Sequence, residues 1–321
     1  MDLLVAFPVS GVKTWLFLPP LVAFAVSFVC SMGGISGAFL LLPFQISFLH
    51  FVTPSVSATN FVYNIVAVPS GVYRYIRERR MVWPLAWTIA LGTLPGVLLG
   101  YYIRVLYLPD PDKFRLFVGC VLLYIGIRLL GEVRRRFHLT GFRAPESGLR
   151  EPPPVEATDA NGWGRPALRP DSKVEILSCA SGLVVYEFCG ERHSFKIFNG
   201  LVLAFVVGIV GGAYGIGGGA IIAPFCVAIF RLPIYTVAGA SLFGTCITSI
   251  AGVTLYSVIP AQAGLSTSPD WALGILFGLG GMLGMYCGAR VQKFVPQTLI
   301  KAALGLMLVS LAACYILKFF G

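Results

Sequence analysis

A glycine-rich run, Gly211-Gly212-Ala213-Tyr214-Gly215-Ile216-Gly217-Gly218-Gly219, lies in the middle of an apolar stretch that extends from residue 196 to residue 230. A continuous helix of roughly 35 residues would be about 52 Å long, whereas the hydrocarbon core of a bilayer is only ~30 Å thick. The run therefore predicts a break. We expect a helical hairpin bent at the glycines, with arms of about 15 residues, slightly short for a full crossing.

The same feature occurs 181 residues earlier, in the apolar stretch 15–49. There Gly34-Ile35-Ser36-Gly37 aligns with Gly215-Ile216-Gly217-Gly218, and further along the chain the offset becomes 186. The other aligned pairs are Pro43 with Pro224, Gly71 with Gly252, Tyr75 with Tyr256, Gly92 with Gly278, and Arg104 with Arg290. Two constant offsets indicate an internal repeat, which in a membrane protein points to transporter architecture.

The composition places most of the chain away from water. Hydrophobic residues make up 57% of the 321 residues and charged residues 12%, whereas a soluble domain carries about 25% charged residues. The apolar segments are 15–49, 55–76, 82–105, 112–133, 196–230, 234–259, 270–291 and 297–319. We therefore predict an all-α polytopic membrane protein rather than a soluble enzyme. The net charge of +10 reflects basic residues beside spans, not nucleic-acid binding.

The arginines predict the orientation of the spans, because cytoplasmic loops carry an excess of Lys and Arg. Four arginines mark the 74–80 loop as cytoplasmic, and Arg134–Arg136 mark the end of segment 112–133, while loop 260–269 has no Lys or Arg and should lie outside. These assignments agree only if segment 196–230 enters and leaves on the same side, as a hairpin does and a single crossing does not. Each repeat then has a glycine-broken hairpin plus three spanning helices, and this odd number of crossings makes the two repeats inverted.

A polar linker separates the two repeats and should be cytoplasmic. The expected domains are a first transmembrane repeat (1–133), the linker (134–195) and a second transmembrane repeat (196–321). The linker holds eight of the 14 acidic residues, and its first half has the composition of a flexible segment. Its second half contains three strand-like runs that predict a small β-meander, Val174–Cys179, Leu183–Phe188 and His193–Ile197.

The glycine breaks form the candidate binding site for a small anion. A broken helix exposes backbone N–H groups near mid-membrane, and such helix ends bind anions without a basic side chain. Polar residues follow each break at positions that match under the offset of 181. The predicted substrate-binding residues are Gly34, Ser36, Gly37, Asn60, Asn64, Tyr214, Gly215, Gly217, Gly218, Ser241 and Thr245. Two plainer interpretations stay open, in which the glycines serve only close helix packing and the polar side chains only bridge helices.

The apolar segments hold almost no carboxylates, which favours a neutral or anionic substrate. No Asp or Glu lies deep in any of them, whereas proton-coupled cation pumps usually carry one there. Arg104 and Arg290 end equivalent spans, where they could snorkel to the interface or attract anions to a vestibule. We expect no catalytic residue, cofactor or metal, because the cysteines follow no pairing or zinc spacing and no deep His or carboxylate cluster exists.

These residues give the chain a resemblance to the TauE/SafE family of sulfite exporters and anion permeases. The resemblance covers both halves, about 15–133 and 196–319, and rests on the run Gly211–Gly219, Pro224, Ala238-Gly239-Ala240-Ser241 and Gly284 through Arg290. The first copy departs from the glycine motif, because Ser36 and Ala38 stand where the second copy has Gly217 and Gly219.

The resemblance implies secondary transport of sulfite, a sulfonate or a related small organic anion across a bacterial plasma membrane. Candidate partners are the anion, the lipid bilayer, a coupling ion (H+ or Na+) and a second copy of the chain; nucleic acid is not among them. The alternative is an anion channel with the same pocket, which would not move its substrate against a gradient.

Cysteine labelling tests the orientation of the linker. In a variant without the native cysteines, Ser147→Cys should react with a membrane-impermeant maleimide only after the cells are permeabilised, because the membrane shields a cytoplasmic segment. Labelling of intact cells would overturn the predicted topology.

Overall fold

The computed structural model describes residues 4–108, 110–140, 173–258, 267–295 and 297–320. This part of the chain is mostly helical, as expected for a polytopic membrane protein. The α-helices are α1 (Leu18–Met32), α2 (Ala38–Ser47), α3 (Ser55–Arg77), α4 (Trp83–Tyr102), α5 (Pro111–Thr140), α6 (Ile197–Tyr214), α7 (Ile222–Phe230), α8 (Ile234–Val258), α9 (Trp271–Val291) and α10 (Gln297–Phe320). A π-helical turn, Ile103–Tyr107, extends α4, and 3-10 turns, Gly218–Ile221 and Gln292–Phe294, precede α7 and follow α9.

Both long apolar stretches are interrupted at their glycines, as the sequence predicts. Residues 33–37 separate α1 from α2, and residues 215–217 separate α6 from the 3-10 turn before α7. Gly34, Gly215 and Gly217 have φ angles of +68°, +81° and +83°. Glycine adopts this left-handed backbone without a steric penalty, so these three positions allow the chain to turn within the apolar interior.

The two helices on either side of each break differ in length, although we expected arms of about 15 residues. α1 has 15 residues and α2 has 10, while α6 has 18 residues and α7 only 9. α7 ends early because Arg231 adopts a left-handed conformation, with φ of +55°. Pro233 follows and cannot continue a helix. Each glycine-broken pair thus consists of a long helix and a short one.

By length and composition, six helices among the described residues could cross a membrane. They are α4 with its π-helical turn, α5, α6, α8, α9 and α10. α6 belongs to this set, although we expected it to be too short. α3 does not, although it has 23 residues, because its polar side chains and the terminal Arg74 and Arg77 lower its hydropathy.

The main helix contacts are the same when each helix of the first repeat is replaced by its equivalent in the second repeat. α1 packs against α9 as α6 packs against α4, and α3 packs against α9 as α8 packs against α4. The pairs α3–α8 and α5–α10 each join one helix from each repeat. Glycines that would collide with the facing helix if they carried a Cβ are Gly280, Gly284 and Gly288 in α9 and Gly92, Gly96 and Gly100 in α4. Small residues bring the backbones together in both seams, as is common in membrane helices.

The predicted β-meander is confirmed as a three-stranded antiparallel sheet of β3 (Val174–Ala180), β4 (Leu183–Phe188) and β5 (Glu191–Lys196). The sheet packs on the helices: the Val174 N–H donates to the Arg79 carbonyl at 3.0 Å, and the Tyr186 and Thr236 hydroxyls are 3.0 Å apart. Burial raises the pKa of Tyr186 to about 12, which keeps the phenol protonated. α5 continues to Thr140, so Arg134–Arg136 extend this helix rather than begin the linker.

An N-terminal hairpin was not anticipated from the sequence. Its strands, β1 (Leu4–Ala6) and β2 (Lys13–Trp15), pair antiparallel. Between them, the N–H and hydroxyl of Ser10 donate to Asp270 Oδ2 at 3.0 and 2.8 Å. Asp270 also caps α9, because its Oδ1 accepts from the Leu273 N–H at 3.1 Å. The hairpin therefore helps to fix the start of α9.

The glycine seam between α1 and α9 makes a stability prediction. Gly284→Ala should lower the thermal midpoint of the purified protein in detergent, because its Cβ would collide with the carbonyl of Phe24. Overpacking of this kind costs about 1–3 kcal/mol, or a fall of several degrees at roughly 2–4 °C per kcal/mol. Gly131→Ala is the matched control, since nothing lies within 4 Å of its Cβ position on α5. Equal midpoints for the two variants would show that the seam is not close-packed.

Candidate functional site

Each glycine break lies against a small residue of the opposite repeat. A Cβ on Gly34 would approach the Cβ of Ala238, on α8, to 2.7 Å. A Cβ on Gly215 would collide with the side chain of Ser57, on α3. Positions 57 and 238 are 181 residues apart, so the two contacts are equivalent under the repeat offset. Both breaks are thus held between the two repeats.

Asn64 connects the two breaks through its side-chain amide. Its Oδ1 accepts a hydrogen bond from the Ser36 hydroxyl, in the first break. Its Nδ2 donates to the carbonyl of Ile216, in the second break, at 2.9 Å. All three residues are fully buried. Because an unsatisfied carbonyl in an apolar interior is costly, this single amide stabilises both interruptions at once.

Ser241 makes the corresponding connection from the second repeat. Its hydroxyl lies 3.1 Å from the Gly34 carbonyl and 2.6 Å from the Gly219 carbonyl. The residue is buried in α8. Asn64 and Ser241 therefore come from different repeats, and each reaches backbone or side-chain groups of both breaks.

Asn60 stays within its own repeat, although the sequence aligns it with Ser241. Its Nδ2 donates to the Ala38 carbonyl at 3.5 Å, which matches the Ser241–Gly219 contact under the offset of 181. Its Oδ1 accepts from Gln45 Nε2 at 2.7 Å. Gln45 therefore binds the side-chain amide of Asn60, which we predicted to face a substrate.

The remaining candidate residues line the two breaks. The Tyr214 hydroxyl donates to the Phe39 carbonyl at 3.1 Å, which ties the end of α6 to α2. A Cβ on Gly37 would collide with the hydroxyl of Tyr63, which is 2.6 Å from that of Ser27.

The second break is surrounded by hydroxyl side chains. The ideal Cβ position of Gly217 is 3.1 Å from both Thr248 Oγ1 and Ser249 Oγ, and that of Gly218 is 2.6 Å from Thr93 Cβ. Thr245 Oγ1 donates to the Ser241 carbonyl at 3.0 Å and stays with its own helix. Ser249 Oγ is buried and forms no hydrogen bond in the part of the chain that the structure describes.

Several backbone donors at the breaks have no acceptor among the described residues. They are the N–H groups of Ser36, Gly37, Gly217, Gly218 and Gly219. The first N–H groups of any helix lack intrahelical partners, and they carry the positive end of the helix dipole. These groups give the centre of the protein a donor-rich character that suits an anion.

Ionisable side chains are scarce in the interior of the described chain. The buried charged side chains among the described residues are Arg80, Arg104 and Asp270. Asp270 is hydrogen-bonded at the start of α9 by Ser10 and Leu273. No group of three or more His, Cys, Asp or Glu among the described residues could hold a metal ion. The balance of buried charge therefore favours an anion over a cation.

Arg80 closes a polar network at the end of α1. Its NH1 donates to Gln292 Oε1 at 2.9 Å, and Glu78 pairs with its NH2. Gln292 Nε2 in turn donates to the Met32 carbonyl at 2.7 Å. The Tyr75 hydroxyl bonds both Gln292 and the Ser31 carbonyl, at 3.0 and 3.1 Å. The network joins the ends of α1, α3 and α9 beside the first break.

Two contributors to the site were missed by sequence reasoning. Gln45 lies on α2 and gives no signal of its own, because a single amide in an apolar helix has no pattern. Ser57 could have been found, because the offset of 181 aligns it with Ala238, and a small residue facing each left-handed glycine is expected.

Substitution of Gly215 tests how tightly the second break is held. Gly215→Ala should lower the thermal midpoint more than Gly11→Ala, because both glycines have positive φ but only Gly215 faces another residue, Ser57. Left-handed backbone alone costs about 1–2 kcal/mol for alanine. Adding Ser57→Gly to Gly215→Ala should recover part of the loss. Equal effects of the two alanine variants would mean that the break is loosely packed.

Comparisons with known proteins identify the family of this chain. The model of the family "Sulfite exporter TauE/SafE" matches residues 20–315. The chain is 21% identical to the probable membrane transporter protein YunE of Bacillus subtilis (strain 168), over 85% of this chain and 87% of that protein. It is 29% identical to the probable membrane transporter protein MJ0441 of Methanocaldococcus jannaschii, over 34% and 41%. No solved structure matches. The chain therefore belongs to the TauE/SafE sulfite exporter family of membrane transporters.

Proposed function

We propose that this protein is a secondary transporter that moves a small anion, sulfite or a sulfonate or related organic anion, across the plasma membrane of a bacterium. The observation that carries the proposal is the meeting of two glycine breaks, 181 residues apart in sequence, at Asn64 and Ser241. The anion would bind between the breaks, near the middle of the membrane.

The donors at the breaks support an anionic substrate. Five backbone N–H groups there have no acceptor among the described residues, and helix N-termini of broken membrane helices bind anionic groups in other transporters. Of the predicted glycines, Gly37, Gly217 and Gly218 would bind the anion through their unpaired N–H groups. Gly34 and Gly215 donate their N–H groups to the preceding helix and would act by turning the chain at each break.

The repeat organisation supports transport rather than catalysis. We propose that the repeats are inverted, since the helix contacts are preserved when the repeats are exchanged. Each repeat would contribute one wall of the site, and rocking of one repeat against the other would expose it to either side in turn. In this orientation the linker, 134–195, and the Arg80 network face the cytoplasm, in accord with the arginines of the 74–80 loop.

The substrate class comes from the family. The matching family model carries the description sulfite exporter, and YunE and MJ0441 are described as probable membrane transporter proteins. Sulfite and the sulfonate head group both present an oxyanion that several N–H donors can bind together. Movement of the anion would be coupled to H+ or Na+.

Transport by proteoliposomes tests the site. Asn64→Ala and Ser241→Ala should each raise the KM for sulfur-35 sulfite by roughly tenfold to a hundredfold, because a hydrogen bond to a charged group is worth about 1.5–3 kcal/mol. Asn60→Ala should raise the KM less, because Gln45 and the Ala38 carbonyl already bind the Asn60 amide. Gly217→Val should act more strongly, since it blocks the backbone and the bend.

Thr254→Ala is the control for the proteoliposome assay. Its hydroxyl is exposed on α8 and donates to the Ile250 carbonyl of the same helix at 2.9 Å. It should transport with the KM of the native protein. If the site variants are folded and also keep that KM, the anion binds elsewhere and the glycines serve only packing. Accumulation of sulfite against its gradient would separate a transporter from a channel.

A further inference from the structure

Arg104 is a buried arginine that the proposed central site does not use. It lies in the π-helical turn that extends α4, and its side chain is fully buried. We expected Arg104 to snorkel to the interface or to serve a vestibule, and its burial rules out snorkelling. Arg290, at the aligned position in the second repeat, is exposed. π-helical turns of this kind occur frequently at functional sites.

One edge of the Arg104 guanidinium has no hydrogen-bond partner among the described residues. NH1 donates to the Leu108 carbonyl, and the guanidinium carbon lies 3.6 Å from the centre of the Phe114 ring. Nε and NH2 form no hydrogen bond in this part of the chain. These two nitrogens make up one side of the planar fork, whose parallel N–H groups match two oxygens of one oxyanion.

No side chain in the described structure supplies the missing negative charge. The described ion pairs do not include Arg104, and the nearest carboxylates along the chain, Asp110 and Asp112, are exposed. The segment 259–266, which follows α8, contains no Asp or Glu. A buried cation without a counter-charge is costly unless a ligand supplies one.

Polar groups connect Arg104 to the second glycine break. The hydroxyl of Tyr256, on α8, lies near the guanidinium of Arg104 and beside the hydroxyl of Ser57. Both hydroxyls are buried, and neither forms a hydrogen bond of ordinary geometry with a described residue. Ser57 in turn contacts Gly215. Buried groups with spare hydrogen-bonding capacity thus extend from Arg104 to the break.

We propose that Arg104, with Tyr256 and Ser57, forms a second anion site, where the free edge of the guanidinium binds a small oxyanion such as sulfite or a sulfonate head group. The site rests on the proposed anion transport and deepens it. The anion would bind there on its path between the glycine breaks and the membrane face at which α4 ends. By the predicted topology, this face is the outer one.

The Arg80 network shows what a structural arginine looks like in the same protein. Both arginines lie against an aromatic ring and have an unpaired Nε. Arg80 has Glu78 as a counter-charge and Gln292 as an acceptor, whereas Arg104 has one backbone acceptor and no carboxylate partner among the described residues. The difference assigns a ligand-binding role to Arg104.

Thermal unfolding in detergent tests the second site, with sodium sulfite titrated into a gluconate buffer. The parent protein is Asn64→Ala/Ser241→Ala, in which the central site is weakened. Sulfite should raise its thermal midpoint, because the Arg104 site still binds. Adding Arg104→Met should remove this rise, or should raise the half-saturating sulfite concentration at least tenfold. In the absence of sulfite, Arg104→Met should leave the midpoint unchanged or raise it, since an uncompensated buried charge is removed.

Two matched variants complete the titration. Arg290→Met, at the exposed aligned position, should keep the response of the parent. Arg104→Lys keeps the charge but loses the planar fork, and should also weaken the sulfite-dependent rise in thermal midpoint. This variant replaces Arg104→Met in the test if Arg104→Met does not fold. The second site would be overturned if sulfite raised the thermal midpoint of the Arg104 variants as much as that of the parent, or if it did not raise the midpoint of the parent. Failure of the central site is recognised separately, because Asn64→Ala/Ser241→Ala would then transport with native KM.

Discussion

The satisfaction of backbone groups where the two helices are broken is the constraint on which the structure depends. A break inside an apolar interior leaves carbonyl and N–H groups without helical partners, and water is absent to replace them. Asn64 and Ser241 satisfy some of these groups, because each forms hydrogen bonds at both breaks. The two repeats are therefore joined at the points where their helices are interrupted. In the proposed function, the donors that stay unpaired at this junction bind the anion.

The two buried arginines, Arg80 and Arg104, differ in their charge and hydrogen-bond partners. At the end of α1, Arg80, Gln292 and Tyr75 form a closed network that reaches the first break through the Met32 carbonyl. Near the end of α4, the Arg104 guanidinium has an edge without a hydrogen-bond partner among the described residues. Tyr75 and Tyr256 are aligned by the repeat offset, so equivalent tyrosines accompany an arginine that has a carboxylate partner, Arg80, and an arginine that has none among the described residues, Arg104.

Local patterns in the sequence predicted the breaks, the β-meander and the alignment of Asn60 with Ser241, but not that Asn64 and Ser241 are the residues that reach both breaks. Glycine runs and strand alternation are properties of short segments, and the offset of 181 carries one position onto another. The unequal helices around each break, the N-terminal hairpin and the partnership of Gln45 with Asn60 depend on tertiary contacts and had no such pattern. The burial of Arg104 was missed for the same reason, because an arginine at the end of an apolar segment usually reaches the interface.

The position of a bound anion is the most direct test of this account. A crystal of the protein soaked with bromomethanesulfonate, a sulfonate that carries an anomalous scatterer, would locate it. The account predicts a bromine peak between the two breaks, with the sulfonate oxygens within hydrogen-bonding distance, about 3 Å, of the N–H groups of Gly217 and Gly218. If the compound inhibits sulfite transport but its peak lies away from both breaks, the central claim is wrong.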